Sequence, residues 1–184
     1  KVTVTATFAL ADENPIFDDI DKDAYYYDAI KWAVANGVTN GMSTTEFVPD
    51  GPCTRGQIVT FLWRAAGKPA PTTTNNPFVD VNEKDYYYEA VLWAVESGIT
   101  NGMSETEFMP ELTCTRAHGV TFLYRAMGKA VDAKAEFSDV PADAYYAQAV
   151  AWAAANGVTN GVSEELFDPD SACTRVQIVT FLYR

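Results

Sequence analysis

Apolar positions recur along this chain on a helical period, in short stretches separated by turns rich in glycine, asparagine and proline. The first stretch, YYYDAIKWAVAN from Tyr25 to Asn36, sets Ala29, Ile30, Ala33 and Val34 on one face and predicts an amphipathic helix. Gly37 follows it as a C-cap, where a left-handed backbone is cheap only for glycine. A turn phrase, VTNGMS, then reverses the chain, and FVPD precedes a second apolar stretch, CTRGQIVTFLWR. That second stretch predicts another helix, with Val59, Phe61 and Leu62 as its buried face.

The same order of elements returns twice. Phe17, Phe78 and Phe137 each open F-x-D-[IV], at offsets of 61 and 59 residues. Trp32, Trp93 and Trp152 keep those offsets, as do Cys53, Cys114 and Cys173. Three helix–loop–helix units therefore fill residues 14–69, 76–129 and 135–184, with APTTTNN at 70–76 as the clearest linker. A lone helix pair leaves much of its apolar face wet. Three units that pack their second helices together in a pseudo-threefold arrangement bury it, so the expected fold is all-α. Residues 1–13 have a different pattern: Val2, Val4, Ala6 and Phe8 alternate with Thr3, Thr5 and Thr7, as in a strand ending a preceding domain. The chain thus reads as the C-terminal part of something longer.

Local chemistry sharpens the second helix. Thr54, Thr115 and Thr174 stand as N-caps, and Gln57 and Gln177 three residues on complete capping boxes. Cysteine precedes each cap and Ile58 or Ile178 sits at the fourth helical position, a hydrophobic staple. In the second repeat His118 and Gly119 replace the Gln and Ile, so that helix start is expected to be the weakest.

Net charge is −12, from 25 acidic and 13 basic residues. This balance opposes nucleic acid and anionic membrane surfaces as partners, because phosphate binding needs a basic face. No eighteen-residue apolar run is present to insert in a membrane. The three cysteines come one per repeat, with no C-x-x-C, and read as buried small hydrophobes rather than zinc ligands. Asp18, Asp19, Asp80 and Asp139, with Asp21 and Asp23 nearby, lack EF-hand spacing; the repeated F-x-D reads as a local turn or helix cap. No cofactor, metal or catalytic set is expected, since every distinctive residue is triplicated and His118 is the only histidine.

Arg55, Arg116 and Arg175 do not fit a purely structural account. They occupy the first helical position, where a positive side chain opposes the helix dipole. Two roles remain open: pairing with a carboxylate of a neighbouring unit, or binding an anionic ligand with help from the backbone N–H groups of the helix start. Tyrosines cluster before each first helix, at Tyr25–Tyr27, Tyr86–Tyr88, Tyr145 and Tyr146, and their faces suit sugar rings.

The order F-x-D-[IV], A-[IV]-x-W-A, G-[IV]-T-N-G, F-x-P and T-R-x-Q resembles the S-layer homology domain, with TRGQ, TRAH and TRVQ as variants of its signature. The resemblance covers about residues 14 to 184. It implies a three-pronged spindle around a central three-helix bundle, in a non-catalytic extracellular module of a larger bacterial surface protein. It also implies anchoring to a cell-wall polysaccharide, a pyruvylated amino-sugar polymer, in grooves between neighbouring repeats. By position, Arg55, Arg116 and Arg175 become the contacts to the ligand's carboxylate. Thr54, Thr115 and Thr174, and the turns Thr39–Asn40–Gly41, Thr100–Asn101–Gly102 and Thr159–Asn160–Gly161, become groove lining. His118 and Gly119 depart from the family pattern and point to an altered groove. The rival reading is a structural or self-assembly module of a surface layer in which the arginines only bridge repeats.

Overall fold

The computed structural model describes residues 16–128, 131, 132, 134 and 136–184. The strand expected over residues 1–13 lies outside the described residues. Among the described residues, six helices form in chain order: α1 (Tyr27–Ala35), α2 (Arg55–Ala65), α3 (Tyr88–Glu96), α4 (Arg116–Met127), α5 (Ala147–Ala155) and α6 (Arg175–Tyr183). The fold is all-α, as expected, and no helix is long and apolar enough to cross a membrane.

The second helices α2, α4 and α6 pack pairwise into a central three-helix bundle. Their buried faces carry Ile58, Val59, Phe61 and Leu62, then Val120, Phe122 and Leu123, then Ile178, Val179 and Phe181. Each first helix forms a prong by packing on the second helix of the preceding repeat: α3 on α2, α5 on α4, and α1 on α6. The last pair closes the ring between the first and third repeats, with Trp32 and Tyr183 rings 5.9 Å apart. The packing unit therefore crosses repeat borders. Within one repeat the backbones of the two helices do not approach within 8 Å, Cα to Cα.

Where the chain enters the three bundle helices, the three segments are tied by main-chain hydrogen bonds in a closed circuit. The amide of Cys53 donates to the Cys173 carbonyl, that of Cys114 to Cys53, and that of Cys173 to Cys114, at 2.8–2.9 Å. All three thiols are free and fully buried, and burial pushes their pKa values up, to about 12 for Cys114 and Cys173. They act as inert apolar volume. Among the described residues no cluster of His, Cys, Asp or Glu has the arrangement to hold a metal ion.

All three second helices start with a complete capping box, including the one expected to be broken. Thr54 and Thr174 accept from the backbone of Gln57 and Gln177, whose side-chain oxygens accept from the cap amides. At α4, His118 Nδ1 accepts from the Thr115 amide at 3.3 Å, because a neutral imidazole nitrogen can stand in for an amide oxygen. Gly119 is likewise not a simple loss. A Cβ there would lie 2.8 Å from Ile178 Cδ1 and 3.3 Å from Cys173 Sγ, so Ile178 already occupies the space its side chain would need.

Candidate groove sites at the repeat junctions

The F-x-D aspartate does not cap its own turn. Asp19 accepts from the amides of Phe47 at 2.9 Å and Val48 at 2.6 Å, and Asp80 and Asp139 repeat this with Phe108 and Met109, and with Phe167 and Asp168. The carboxylate bridges 28 residues because its two oxygens match two successive amides of the F-x-P loop. The second residue of each pair is left-handed, with φ of 59° at Val48, 56° at Met109 and 60° at Asp168. Such a backbone costs a side-chain-bearing residue about 1–2 kcal/mol, which the charge-assisted bonds offset.

The loop so held receives the motif arginine of another repeat. Arg175 Nε donates to the Phe47 carbonyl at 2.8 Å, Arg55 Nε to Phe108 at 2.8 Å, and Arg116 Nε to Phe167 at 2.9 Å. Each guanidinium lies between two phenyl rings, as Arg175 does at 4.8 Å from Phe47 and 5.6 Å from Phe61. Arg55 and Arg116 stack in the same way on Phe108 and Phe122, and on Phe167 and Phe181. Each arginine residue is only 3% exposed, and burial pushes its pKa down from the ordinary value. Nη2 of each is buried with no hydrogen-bond partner among the described residues. The neighbouring unit thus supplies a main-chain carbonyl, where a carboxylate was one of the two expected partners.

The helix-start amides do not assist as expected. Those of Arg175 and Val176 already donate to the carbonyls of Gly51 and Pro49, and the other two helices repeat the pattern. With the third amide bound to the capping threonine, the usual anion-binding donors of a helix start are spent.

Three grooves open beside these arginines, and each draws on all three repeats rather than on two. The Arg175 groove, about 290 Å³, is completed by Thr39, Asn40, Gly41 and Met42, by Gln57, Thr60, Phe61 and Arg64, and by Tyr86. The Arg116 groove, about 390 Å³, uses the equivalent third-repeat residues, among them Thr159, Asn160, Gly161, Gln177 and Arg184, with Tyr25. The Arg55 groove, about 130 Å³, has Thr100, Gly102, Met103, His118, Thr121, Phe122, Arg125 and Tyr145. Asn101 is not part of that lining. Thr54, Thr115 and Thr174 line none of these three grooves; they serve as caps.

The threonine of each T-N-G turn shapes the wall. Thr39 is buried and its hydroxyl accepts from the Gly41 amide at 3.2 Å. Gly41 has φ of 83°, and a Cβ there would lie 2.5 Å from the Phe17 ring, so both backbone and space require glycine. Opposite the turn, Tyr25, Tyr86 and Tyr145 are 71%, 58% and 61% exposed, each edge-on to the tyrosine after it.

A second arginine was missed by the reading of the sequence. Arg64, Arg125 and Arg184 each donate Nη1 to the carbonyl just before the T-N-G turn, at Val38, Ile99 and Val158. Their signal was the last letter of CTRGQIVTFLWR and its two copies. All six arginines of the chain line a groove, two to each, and among the described residues no acidic residue lines any of them.

Comparison with known proteins agrees with this architecture. The S-layer homology domain matches at residues 16–59, 77–118 and 136–178. Over 53% of its length the chain is 34% identical to a surface-layer 125 kDa protein of Lysinibacillus sphaericus, covering 8% of that protein. It is 27% identical to an amylopullulanase of Thermoanaerobacterium thermosulfurigenes, over 99% of the chain but 10% of the enzyme. It is 23% identical to a cellulosome-anchoring protein of Acetivibrio thermocellus, over 75% of the chain and 33% of that protein. The chain therefore spans a third or less of these relatives, and it matches the enzyme only through a small, non-catalytic part. Domains of this kind anchor surface proteins to the cell wall, outside the cell. With three matches covering more than half of its residues, the chain belongs to the S-layer homology domain family, as three tandem repeats.

Proposed function

We propose that this chain is the wall-anchoring module of a larger surface protein, and that it binds an anionic, pyruvylated cell-wall polysaccharide in the three grooves. The observation that carries the reading is the placement of every arginine, in pairs, in grooves that no carboxylate of the described residues lines, on a protein of net charge −12. A chain so acidic repels polyanions at long range. Local pairs of guanidinium groups reverse that at short range, where screening by salt leaves only near charges effective.

The orphaned Nη2 of Arg55, Arg116 and Arg175 supports it, since a buried donor without an acceptor costs about 1–3 kcal/mol. The Arg116 groove adds the hydroxyl of Thr180, which has no partner among the described residues. A carboxylate has the lone pairs these donors lack, and the exposed tyrosine offers a face for the sugar ring. Thr39, Asn40, Gly41 and their counterparts shape the pocket. Residues 14–69, 76–129 and 135–184 are the three repeats of one binding unit.

Sedimentation with purified cell walls tests this. Binding is expected to native walls and to vanish when the polysaccharide is stripped; undiminished binding to stripped walls overturns the reading. In that event the self-assembly role, with arginines that only bridge repeats, takes its place.

A further inference from the structure

The three grooves differ in chemistry at two equivalent positions: Val162 stands where Met42 and Met103 do, an apolar exchange, and the other position is titratable. Gln57 and Gln177 line the Arg175 and Arg116 grooves, and His118 takes their place in the Arg55 groove. His118 also closes the capping box of α4 by accepting the Thr115 amide at Nδ1, an arrangement that requires the neutral ring. Its proton then sits on Nε2. Its ring centroid lies 6.1 Å from that of Tyr145.

From these contacts, and resting on the anion-binding reading of the grooves, we infer that His118 makes the Arg55 groove a proton-coupled anion site, while the other two grooves bind independently of pH. The argument follows charge. Arg55 from α2 and Arg125 from α4 line the groove with Tyr145, and Cys114 lies on the approach to α4. Asp170 bears on Tyr145 from outside the groove, and α5, packed on α4, has no titratable side chain. A proton on Nδ1 forfeits the cap bond and adds a third positive charge near Arg55. In the empty groove, burial and the Arg55 charge both oppose it, which holds the pKa of His118 below its ordinary value. An anion between His118 and Arg55 cancels that opposition. Proton and anion then stabilise each other, and by linkage the anion binds more tightly as pH falls. The groove is also the smallest of the three, so ring and ligand are in close quarters.

The test is calorimetric stoichiometry on the intact chain at about pH 5 and about pH 8, either side of the ordinary histidine pKa. The probe is the methyl glycoside of a pyruvylated N-acetylhexosamine. Two sites are expected to fill at the higher pH and three at the lower. His118→Gln, which installs the residue already tolerated in the other two boxes, is expected to fill three at both. Gln57→His is expected to move the same dependence into the Arg175 groove, leaving one site at the higher pH. Because His118 is the only histidine, its imidazole proton resonance reports on this groove alone, and its titration midpoint should rise when the probe is added. Equal stoichiometry at both pH values, with an unmoved midpoint, overturns the inference and leaves the anion-binding reading standing. No binding at either pH in any variant overturns that reading itself.

Discussion

Asp19 holds Arg175 at one remove: its carboxylate accepts the amides of Phe47 and Val48, and the Phe47 carbonyl accepts Nε of Arg175. A residue near the start of the first repeat thereby positions one near the end of the third. Asp19→Asn replaces one acceptor oxygen by an amide donor facing the Val48 or Phe47 N–H, and leaves a left-handed valine without one of its two restraints. The expected loss is about 1–3 kcal/mol of stability, read from urea unfolding, together with weaker binding in the Arg175 groove. Unchanged stability would show that the loop holds its shape without the aspartate.

Arg64 and Arg125 give a cleaner separation of binding from folding than the motif arginines do. Melting experiments on Arg55, Arg116 or Arg175 variants cannot distinguish a bridging role from a ligand role, because the same side chain spans two repeats and lines a groove. Arg64 and Arg125 are less buried, and each donates one bond to a carbonyl. Arg64→Gln with Arg125→Gln is expected to weaken wall binding while shifting stability by no more than about 0.5 kcal/mol. Sedimentation with walls and a thermal melt on the same samples check both halves.

Much of this was legible because it is local. The capping threonines, the C-cap glycines and the apolar faces of α2, α4 and α6 follow from spacing within a dozen residues. The partner of α1 was not, since three near-identical repeats produce the same pattern whichever neighbour each prong chooses. Asp19, Asp80 and Asp139 stand at one fixed distance from the loops they hold, yet spacing does not say that a carboxylate can span it. His118 was read as a broken cap because the expectation considered only Gln and Glu, whereas an unprotonated ring nitrogen does the same work.

The His118 cap has a pH signature of its own, separate from any ligand. Burial and Arg55 lower its pKa in the folded chain, so the unfolded chain binds the proton more readily. The stabilisation it contributes is present above the ordinary histidine value of about 6.5 and is lost as pH falls from there toward the folded value. Thermal melts of the wild-type chain should therefore fall more steeply than those of His118→Gln on acidification below neutrality. Parallel curves would mean that the Thr115 cap does not depend on the neutral ring.

Gly119 invites a paired substitution. Adding a methyl group there pushes on Ile178 Cδ1 at 2.8 Å, and overpacking of this kind costs about 1–3 kcal/mol. Ile178→Val removes that atom. Gly119→Ala is thus expected to destabilise the chain alone and to be partly rescued by Ile178→Val, a coupling that a double-mutant cycle of unfolding free energies measures. Simple additivity would place the strain elsewhere.

Closure of the ring predicts how the chain unfolds. Since α1 packs on α6 and each repeat's own helices are not packed closely on one another, no repeat can bury its apolar face by itself. Deleting Cys173–Arg184 removes one of three bundle helices, the partner of α1, and two of the three bonds in the cysteine circuit. The shortened chain is expected to lose helical circular dichroism throughout, not by the share of one helix. A circular permutant opened in the 70–76 linker keeps every helix contact, and it and the parent should each unfold in urea in one cooperative transition. A truncated chain that retained two-thirds of its helix signal with a cooperative transition would show instead that repeats fold separately.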